Sequence, residues 1–230
     1  SSDLQSILRS SPDAFLCKRV IICEGKTEVG ILRALDKYRT KIGQPRFAHY
    51  GVGIILGGGG NKFFTLAKFL KDCGYDCCIL MDSDIEKEEI QKTEARNNEI
   101  SVFDWEQGYA IEEQLFKDVS LRCANALLAI AVEEKSFEHV KTKLKENFNF
   151  KHLTYNLEDG KIFIDEDISQ EERIKIGTAA KQKKSEWYKD TTLGECVGDE
   201  VFKEFETMPM NCRFKSQIIA LQNWVTSNEN

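Results

Sequence analysis

Short apolar runs alternate with helically periodic stretches over the first half of the chain. The runs at residues 19–23, 52–56 and 77–81 are strand-sized and continuous, which is typical of strands buried on both faces. The stretches that follow the first two runs, from Thr27 and from Phe63, place apolar residues three or four positions apart and predict amphipathic helices. Strands that alternate with helices predict a parallel sheet with helices on its faces.

The pattern changes after Asp84, and the second half of the chain is mostly helical. Residues 85–99 hold five glutamates and few apolar residues, which indicates a solvated loop or an exposed helix. Further elements are predicted as an edge strand at 100–103, helices at 110–116 and 121–148, a polar connection at 159–172 and a final helix at about 215–225. We therefore predict an α/β core over residues 1–118, a helical region over 119–180 and a C-terminal segment over 181–230.

Composition and charge narrow the class of protein. The 230 residues are 41% hydrophobic and 30% charged, as in a folded globular protein. No apolar stretch approaches the roughly 20 residues that span a bilayer, and no signal-peptide pattern is present, so we expect a cytoplasmic protein without a membrane partner. The chain opens with Ser1, Ser2 and Asp3 instead of Met, from which we expect a piece of something longer. The net charge of −6 does not by itself indicate nucleic-acid binding.

Acidic residues follow two of the predicted strands. Glu24 comes directly after the first strand with Glu28 one helical turn later, and Asp82 and Asp84 follow the third strand. Carboxyl ends of parallel strands meet at one edge of a sheet, where ligands bind. Clustered carboxylates repel unless a cation joins them, and oxygen ligands suit Mg²⁺ or Mn²⁺. A pair of such ions about 4 Å apart can activate a water and stabilise the leaving oxygen of a phosphodiester. Solvated or helix-capping acids are the alternative.

Several segments together carry a resemblance to a known family. They are residues 20–28 (VIICEGKTE), the glycine-rich turn at 57–60, residues 79–84 (ILMDSD), residues 105–113 (WEQGYAIEE) and residues 187–195. The first three resemble a Toprim domain, the fold shared by topoisomerases, bacterial primases, some small RNases and the overcoming-lysogenization-defect (OLD) family nucleases. The last two resemble the third acidic motif of the OLD family and its late motif, in which an aromatic pair precedes a catalytic lysine. The resemblance covers roughly residues 12–200.

The resemblance implies a set of site residues. The metal ligands, which are also catalytic, would be Glu24, Glu28, Asp82 and Asp84. Glu112 would complete the set, with Glu113 as the alternative, because one residue of helix turns a side chain by about 100°. Ser83 could add its hydroxyl or backbone. Lys189 would place a positive charge on the scissile phosphate as negative charge builds there. A surface lysine is the alternative for Lys189.

The resemblance also implies an activity and its context. OLD family proteins usually carry an ABC-type ATPase, and residues 57–63 are a poor P-loop, with Asn before the Lys and Phe after it. We expect no nucleotide site in this chain, but a turn whose backbone approaches the metal centre or a phosphate. The resemblance implies the nuclease part of an ATPase-nuclease, or the nuclease subunit of a split system. It would cut DNA with two Mg²⁺ or Mn²⁺ ions in phage defence or DNA repair, often as a homo-oligomer.

A local basic stretch offers a surface for DNA. Between Lys175 and Lys189 five lysines face a single acidic residue, Glu186. Basic residues near aromatic ones can follow a phosphate backbone and stack a displaced base. The residues expected to bind DNA are Lys181, Lys183, Lys184, Trp187 and Lys189. A solvated lysine-rich face over a buried Trp is the alternative.

Other functions fit the sequence less well. Asp82-Ser83-Asp84 also resembles the start of a haloacid-dehalogenase-type phosphatase, but that family needs Thr or Val where Glu86 stands. A glycosyltransferase with this acidic pair leaves residues 24–28 unexplained. Another metal-dependent phosphotransferase with the same acidic pair is a further alternative. A topoisomerase needs a nucleophilic tyrosine in a context that we do not recognise here. The non-enzyme alternative is a Toprim module that serves binding or oligomerisation in a larger complex.

Overall fold

The computed structural model describes residues 12–58, 60–85 and 88–227. Residues 1–3, Gly59 of the glycine-rich turn and Glu86, which bears on the phosphatase alternative, lie outside the described residues. The described ranges include Glu24, Glu28, Asp82 and Asp84, the acidic residues predicted as metal ligands after the first and third apolar runs.

A parallel sheet forms the centre of the fold and confirms the α/β prediction. Its described strands are β1 (Arg19–Cys23), β2 (Val52–Leu56), β3 (Asp76–Met81) and β4 (Ser101–Asp104), in the spatial order β2-β1-β3-β4. β1 is buried along its whole length because helices cover both faces of the sheet. Cys23 pairs with Leu80, so β1 and β3 end side by side and release the chain at the same edge.

Helices follow the strands and then form most of the C-terminal region. In chain order they are α1 (Lys26–Lys41), α2 (Lys62–Asp72), α3 (Glu89–Asn97), α4 (Ile111–Asp118), α5 (Leu121–Lys135), α6 (Phe137–Asn147), α7 (Gln170–Ala180), α8 (Thr191–Phe202) and α9 (Arg213–Thr226). Short 3₁₀ helices lie at Pro12–Leu16 and Phe47–Tyr50. The final helix predicted at 215–225 is thus confirmed as α9.

The two faces of the sheet bury separate hydrophobic clusters. Val20 and Ile22 point to a cluster formed with α2, while Ile21 and Cys23 point to the opposite cluster, as alternation along a strand requires. That second cluster continues through α5 and α8 as far as Val225 in α9. The C-terminal helices therefore share a core with the sheet.

A row of glycines lets α1 and α8 pack with their backbones in contact. A Cβ atom on Gly30 would lie 2.5 Å from the backbone nitrogen of Glu195, and one on Gly194 would lie 2.5 Å from the carbonyl oxygen of Thr27. One turn further, a Cβ on Gly198 would lie 2.6 Å from the Cβ of Ala34. Real Cβ atoms do not approach so closely, so these helices can only meet at this distance because the positions are glycines.

Two expectations for the middle of the chain need correction. The segment 159–172 is not a simple connection, because it contains β6 (Lys161–Ile164), which pairs antiparallel with β5 (Leu153–Asn156), and the start of α7. The side chain of Asn125 accepts from Ile164 N–H at 2.7 Å, so a residue distant in sequence fixes this short strand. The segment 85–99 is not fully solvated either, since Lys92 of α3 is only 1% exposed.

Candidate metal centre

The neighbouring ends of β1 and β3 bring the first two acidic residues together. The backbone N–H of Glu24 donates to the carbonyl oxygen of Leu80 at 3.0 Å, which continues the β1–β3 pairing by one residue. Oε2 of Glu24 then accepts a hydrogen bond from the N–H of Asp82 at 3.1 Å. Glu28 lies in the first turn of α1 and is 3% exposed. The strand ends therefore place these carboxylates at one edge of the sheet, as predicted from the parallel order.

Asp82 is held in position by two donors from the segment that follows β4. Its Oδ1 accepts from the indole Nε1 of Trp105 at 3.1 Å and from the N–H of Ile111 at 2.8 Å. Ile111 is the first residue of α4, so Asp82 satisfies one of the backbone donors left open at a helix N-terminus. The motif residues around Trp105 thus position Asp82 and place Glu112 of α4 next to it.

The carboxylates of this edge share a low-dielectric site and repel one another. Burial, and then the charges of Glu112 and Glu24, raises the pKa of Glu28 to about 8. Burial, and then the charges of Glu88 and Asp84, raises the pKa of Glu24 to about 7. The pKa of Asp82 is raised well above its ordinary value, chiefly by burial and then by Glu28. Only a positive charge among them lets all of these groups ionise at neutral pH.

The two glutamates at the start of α4 have different surroundings. Glu113 is engaged by its neighbours: Oε2 accepts from the N–H of Ala110 at 2.9 Å and contacts Nζ of Lys181 at 2.7 Å, and Oε1 accepts from Thr178 at 2.7 Å. Burial raises the pKa of Glu112 to about 7, although Lys181 opposes the shift. Because Glu113 already serves as an anchor between α4 and α7, Glu112 is the better candidate for a cation ligand.

The hydroxyl of Ser83, which the sequence suggested as a further cation ligand, is bonded to a lysine in this structure. Oγ of Ser83 accepts a hydrogen bond from Nζ of Lys92 at 2.8 Å, and the side chain is buried. Its backbone is also engaged, because Ser83 N–H donates to Tyr109 and its carbonyl accepts from Gly108. In this arrangement Ser83 fixes the turn between the two aspartates.

The lysine in contact with the carboxylates is Lys181. It follows α7 directly and pairs with Oδ2 of Asp84 at 3.2 Å as well as with Glu113. Lys189 has a side chain that is 67% exposed and pairs with Oε1 of Glu186 at 2.7 Å. Lys189 nevertheless lies beside the start of α1, because the carbonyl of the preceding Tyr188 accepts from the hydroxyl of Thr27 at 3.1 Å. The structure therefore places Lys181 among the acids and Lys189 at their margin.

The predicted base-stacking role of Trp187 is wrong for this conformation. Trp187 is 0% exposed and Tyr188 is 1% exposed, with the hydroxyl of Tyr188 bonded to the carbonyl of Leu127 at 2.8 Å. A ring inside the core has no face for a nucleobase. Lys183 and Lys184 are exposed between α7 and α8, so the lysines stay available to a phosphate backbone.

A comparison with protein families bears on the interpretation of the strand-end motifs. Residues 15–84 match the family model described as overcoming lysogenization defect protein-like, TOPRIM domain. This segment is similar to an OLD-like Toprim domain. Its match spans β1 to β3 and includes Glu24, Glu28, Asp82 and Asp84. The comparisons with curated proteins and with solved structures gave no match.

The Toprim match indicates the kind of module that residues 15–84 resemble. Toprim domains are nucleotidyl-transfer and nuclease-type modules that usually bind divalent metals. Glu112, Lys181 and Lys189 lie beyond the matched segment, so their roles depend on the geometry described above. In the described part of the chain, no helix combines the length and apolarity needed to cross a membrane.

The carboxyl ends of β1 and β3, which we call the Toprim edge, carry the oxygen ligands that suit a divalent cation. Oε2 of Glu28 is buried and has no hydrogen-bond partner among the described residues. A buried carboxylate oxygen without a donor is costly unless a cation satisfies it. Within the same described ranges, no three Asp, Glu, His or Cys side chains already converge as a ligand set. The donor atoms are therefore present, and binding would have to draw them together.

The glycine-rich turn lies next to this edge. The N–H of Gly57 donates to the carbonyl of Cys23 at 2.8 Å, directly before Glu24. A Cβ on Gly57 would lie 2.8 Å from Cγ2 of Ile22, so only glycine permits this approach. The turn is thus close to the carboxylates, where the sequence placed it.

One acidic residue near the Toprim edge was missed from the sequence. Glu88 is 3% exposed and its charge contributes to the raised pKa of Glu24. The sequence did not single out Glu88, because it lies in a glutamate-rich stretch that was expected to be solvated. Its spacing of four residues from Lys92 was the available signal, since both would lie on one face of a helix.

Proposed function

We propose that this chain is a divalent-metal-dependent DNA endonuclease, the nuclease part of an OLD family ATPase-nuclease. The observation that carries the proposal is the buried Oε2 of Glu28, which has no hydrogen-bond partner in the described part of the chain and lies among carboxylates that raise one another's pKa. Such a group of acids disfavours the folded chain at neutral pH unless cations bind there. A structural role in hydrogen bonding or helix capping would leave no buried oxygen without a donor.

Each residue of the proposed site would have its own role in binding the cations or in positioning a ligand. The cation ligands would be Glu24, Glu28, Asp82, Asp84 and Glu112. Two bound Mg²⁺ or Mn²⁺ ions would supply an activated water and stabilise the leaving oxygen of the phosphodiester. Glu113 would anchor α4 to α7 and keep Glu112 in place, and Ser83 would fix the turn between the aspartates.

The lysines would hold and neutralise the DNA backbone. Lys183 and Lys184 are exposed and can follow the phosphates as they approach the acids. Lys181 and Lys189 are the two candidates for the positive charge on the scissile phosphate. The contacts of Lys181 with Asp84 and Glu113 favour it for the position nearest the cations, and Lys189 can reach a phosphate at the margin because its side chain is exposed.

The wider setting belongs to the same proposal. By its Toprim segment the chain would work with an OLD-type ATPase domain or subunit, as a homo-oligomer, in the cytoplasm, in phage defence or DNA repair. No nucleotide site is assigned to this chain's own residues.

The proposal is tested by cleavage of supercoiled plasmid with Mg²⁺, Mn²⁺ or EDTA. We expect nicked or linear product with either metal and none with EDTA. Asp82→Asn removes one charge from the cation site and should abolish the product, whereas Asp159→Asn, at the exposed β5–β6 turn, should cleave like the wild type. Product that persists in EDTA or in Asp82→Asn would refute the proposed mechanism.

A non-catalytic Toprim module is the second candidate, and one observation favours it. The acids do not yet converge as a ligand set in the described residues, and Lys181 already supplies a positive charge to Asp84 and Glu113. If the chain binds DNA but cleaves it neither alone nor with an OLD-type ATPase added, this candidate is supported.

A further inference from the structure

Glu88 is a buried acidic side chain that the proposed site does not use. It is the residue from which α3 begins, and its side chain makes no capping hydrogen bond with that helix. The residue is 3% exposed, and its Oε2 is buried without a hydrogen-bond partner among the described residues. Neither helix capping nor solvation therefore explains this carboxylate.

The nearest positive charge does not satisfy Glu88. Lys92, one turn further along α3, attracts Glu88 electrostatically but is committed elsewhere. Its ammonium group lies 2.8 Å from Oγ of Ser83, 2.7 Å from Oε1 of Glu89 and 3.0 Å from Oδ2 of Asp104. An ammonium group has three donors, and three acceptors already surround this one.

The side of α3 that carries Glu88 and Lys92 packs next to the candidate metal centre. The charge of Glu88 is one of those that raise the pKa of Glu24, and Asp84 in turn raises the pKa of Glu88. The bond from Lys92 to Ser83, between the two aspartates, shows that this face of α3 packs against the turn after β3. A second buried oxygen, which has no donor among the described residues, thus lies on the side of α3 that packs against this turn.

We infer that Glu88 is a further divalent-cation ligand, which shares a cation with Glu24 and Asp84. The inference rests on the proposed function, because it assigns one more residue to the same centre. It has a chemical rationale: Mg²⁺ and Mn²⁺ take about six oxygen ligands each, so two ions can use six carboxylates together with water. Glu88 would close the side of the site covered by α3.

The test is calorimetric titration of the full chain with Mn²⁺, which needs neither DNA nor turnover. Glu88→Gln keeps the size of the side chain and removes its charge. The control is Glu94→Gln, the same change at an exposed position of α3. We expect Glu88→Gln to weaken Mn²⁺ binding about tenfold or more and Glu94→Gln to leave it unchanged. If Glu88→Gln does not fold, Glu88→Asp, which keeps the charge but shortens the side chain, should show the same weakening.

The outcomes distinguish a failure of this inference from a failure of the proposed function. If the wild type binds no Mn²⁺, the proposed metal centre fails and the inference with it. If the wild type binds Mn²⁺ and Glu88→Gln binds it equally well, the inference is overturned and the proposed function stands. Thermal unfolding adds a second criterion. A ligand role predicts that Glu88→Gln melts no lower than the wild type in EDTA but gains less from Mn²⁺, whereas a lower melting temperature in EDTA with an unchanged gain would show a structural role and overturn the inference.

Discussion

The charge of Glu24 should destabilise the folded chain at neutral pH when no divalent cation is present. Burial and neighbouring acids raise the pKa of Glu24 from 4.5 to about 7 in the folded chain. Between these two pH values the folded state holds a proton that the unfolded state has lost. The free energy of unfolding therefore falls as the pH rises through this window.

The size of this effect follows from the shift in pKa. A difference from 4.5 to about 7, at 1.36 kcal/mol per pKa unit, corresponds to about 3 kcal/mol lost across the window. Glu24→Gln removes the titration, and its amide oxygen can still accept the hydrogen bond from Asp82 N–H. In EDTA the variant should match the wild type below pH 4.5 and become more stable than it by up to about 3 kcal/mol above pH 7.

Urea unfolding of both proteins across this pH range, in EDTA and again in Mg²⁺, measures the difference. With Mg²⁺ the order should reverse above pH 7, because the wild-type carboxylate then gains a cation and the amide does not. Taking the difference between the two proteins cancels the titrating groups that do not interact with Glu24. Glu28 and Asp82, whose pKa the charge of Glu24 raises, change in the same direction and add to the difference. A difference in EDTA that stays constant with pH, or that grows in favour of the wild type, would refute the electrostatic account of this site.

Three further substitutions test the surroundings of the site. Gly177→Ala would place a Cβ 2.5 Å from Cα of Glu113 and should push α7 away from α4. We expect it to lower the free energy of unfolding in urea by about 1–3 kcal/mol and to weaken Mn²⁺ binding. An unchanged stability would contradict the close packing of the two helices. Lys181→Met should lower the melting temperature in EDTA more than in Mg²⁺, because it removes the counter-charge of Asp84. The control, Lys183→Met, should change the melting temperature in neither buffer. An equal decrease for Lys181→Met in both buffers would argue against a role among the acids. Tyr188→Phe should cost about 1 kcal/mol in urea unfolding, because it deletes the bond to Leu127, and an unchanged value would show that this carbonyl finds another donor.

The sheet and its acidic edge could be predicted from the sequence because they depend on local pattern. A short continuous apolar run such as 20–23 is typical of a strand buried on both faces, and the residue after such a strand lies at the carboxyl edge of the sheet. The positions of Glu24 and Asp82 follow from the parallel order of two such runs. No side-chain contact is needed for that argument.

The surroundings of the acids could not be predicted, because they depend on how distant segments pack. Lys181 reaches Asp84 only because Gly177 lets α7 lie against the backbone of α4. The sequence left open whether Trp187 stacks a base or is buried under a lysine-rich face, because its neighbours are lysines, and the chain turns its ring into the core. Glu88 and Lys92 were expected to be solvated, because the composition of residues 85–99 is polar. The structure buries them, because the side of α3 that carries them is covered.

The glycine contact between α1 and α8 restricts how the site can open. Two helices whose backbones touch cannot slide or separate without losing contact along the whole row from Gly30 to Gly198. The helix that carries Glu28 and the segment that carries Lys189 must therefore move as a single body, because Thr27 and Gly194 bind them at their shared end. If the proposed function holds, an opening that admits a nucleic-acid strand would have to come from another side of the site, such as that where α3 packs against the turn after β3 through Lys92.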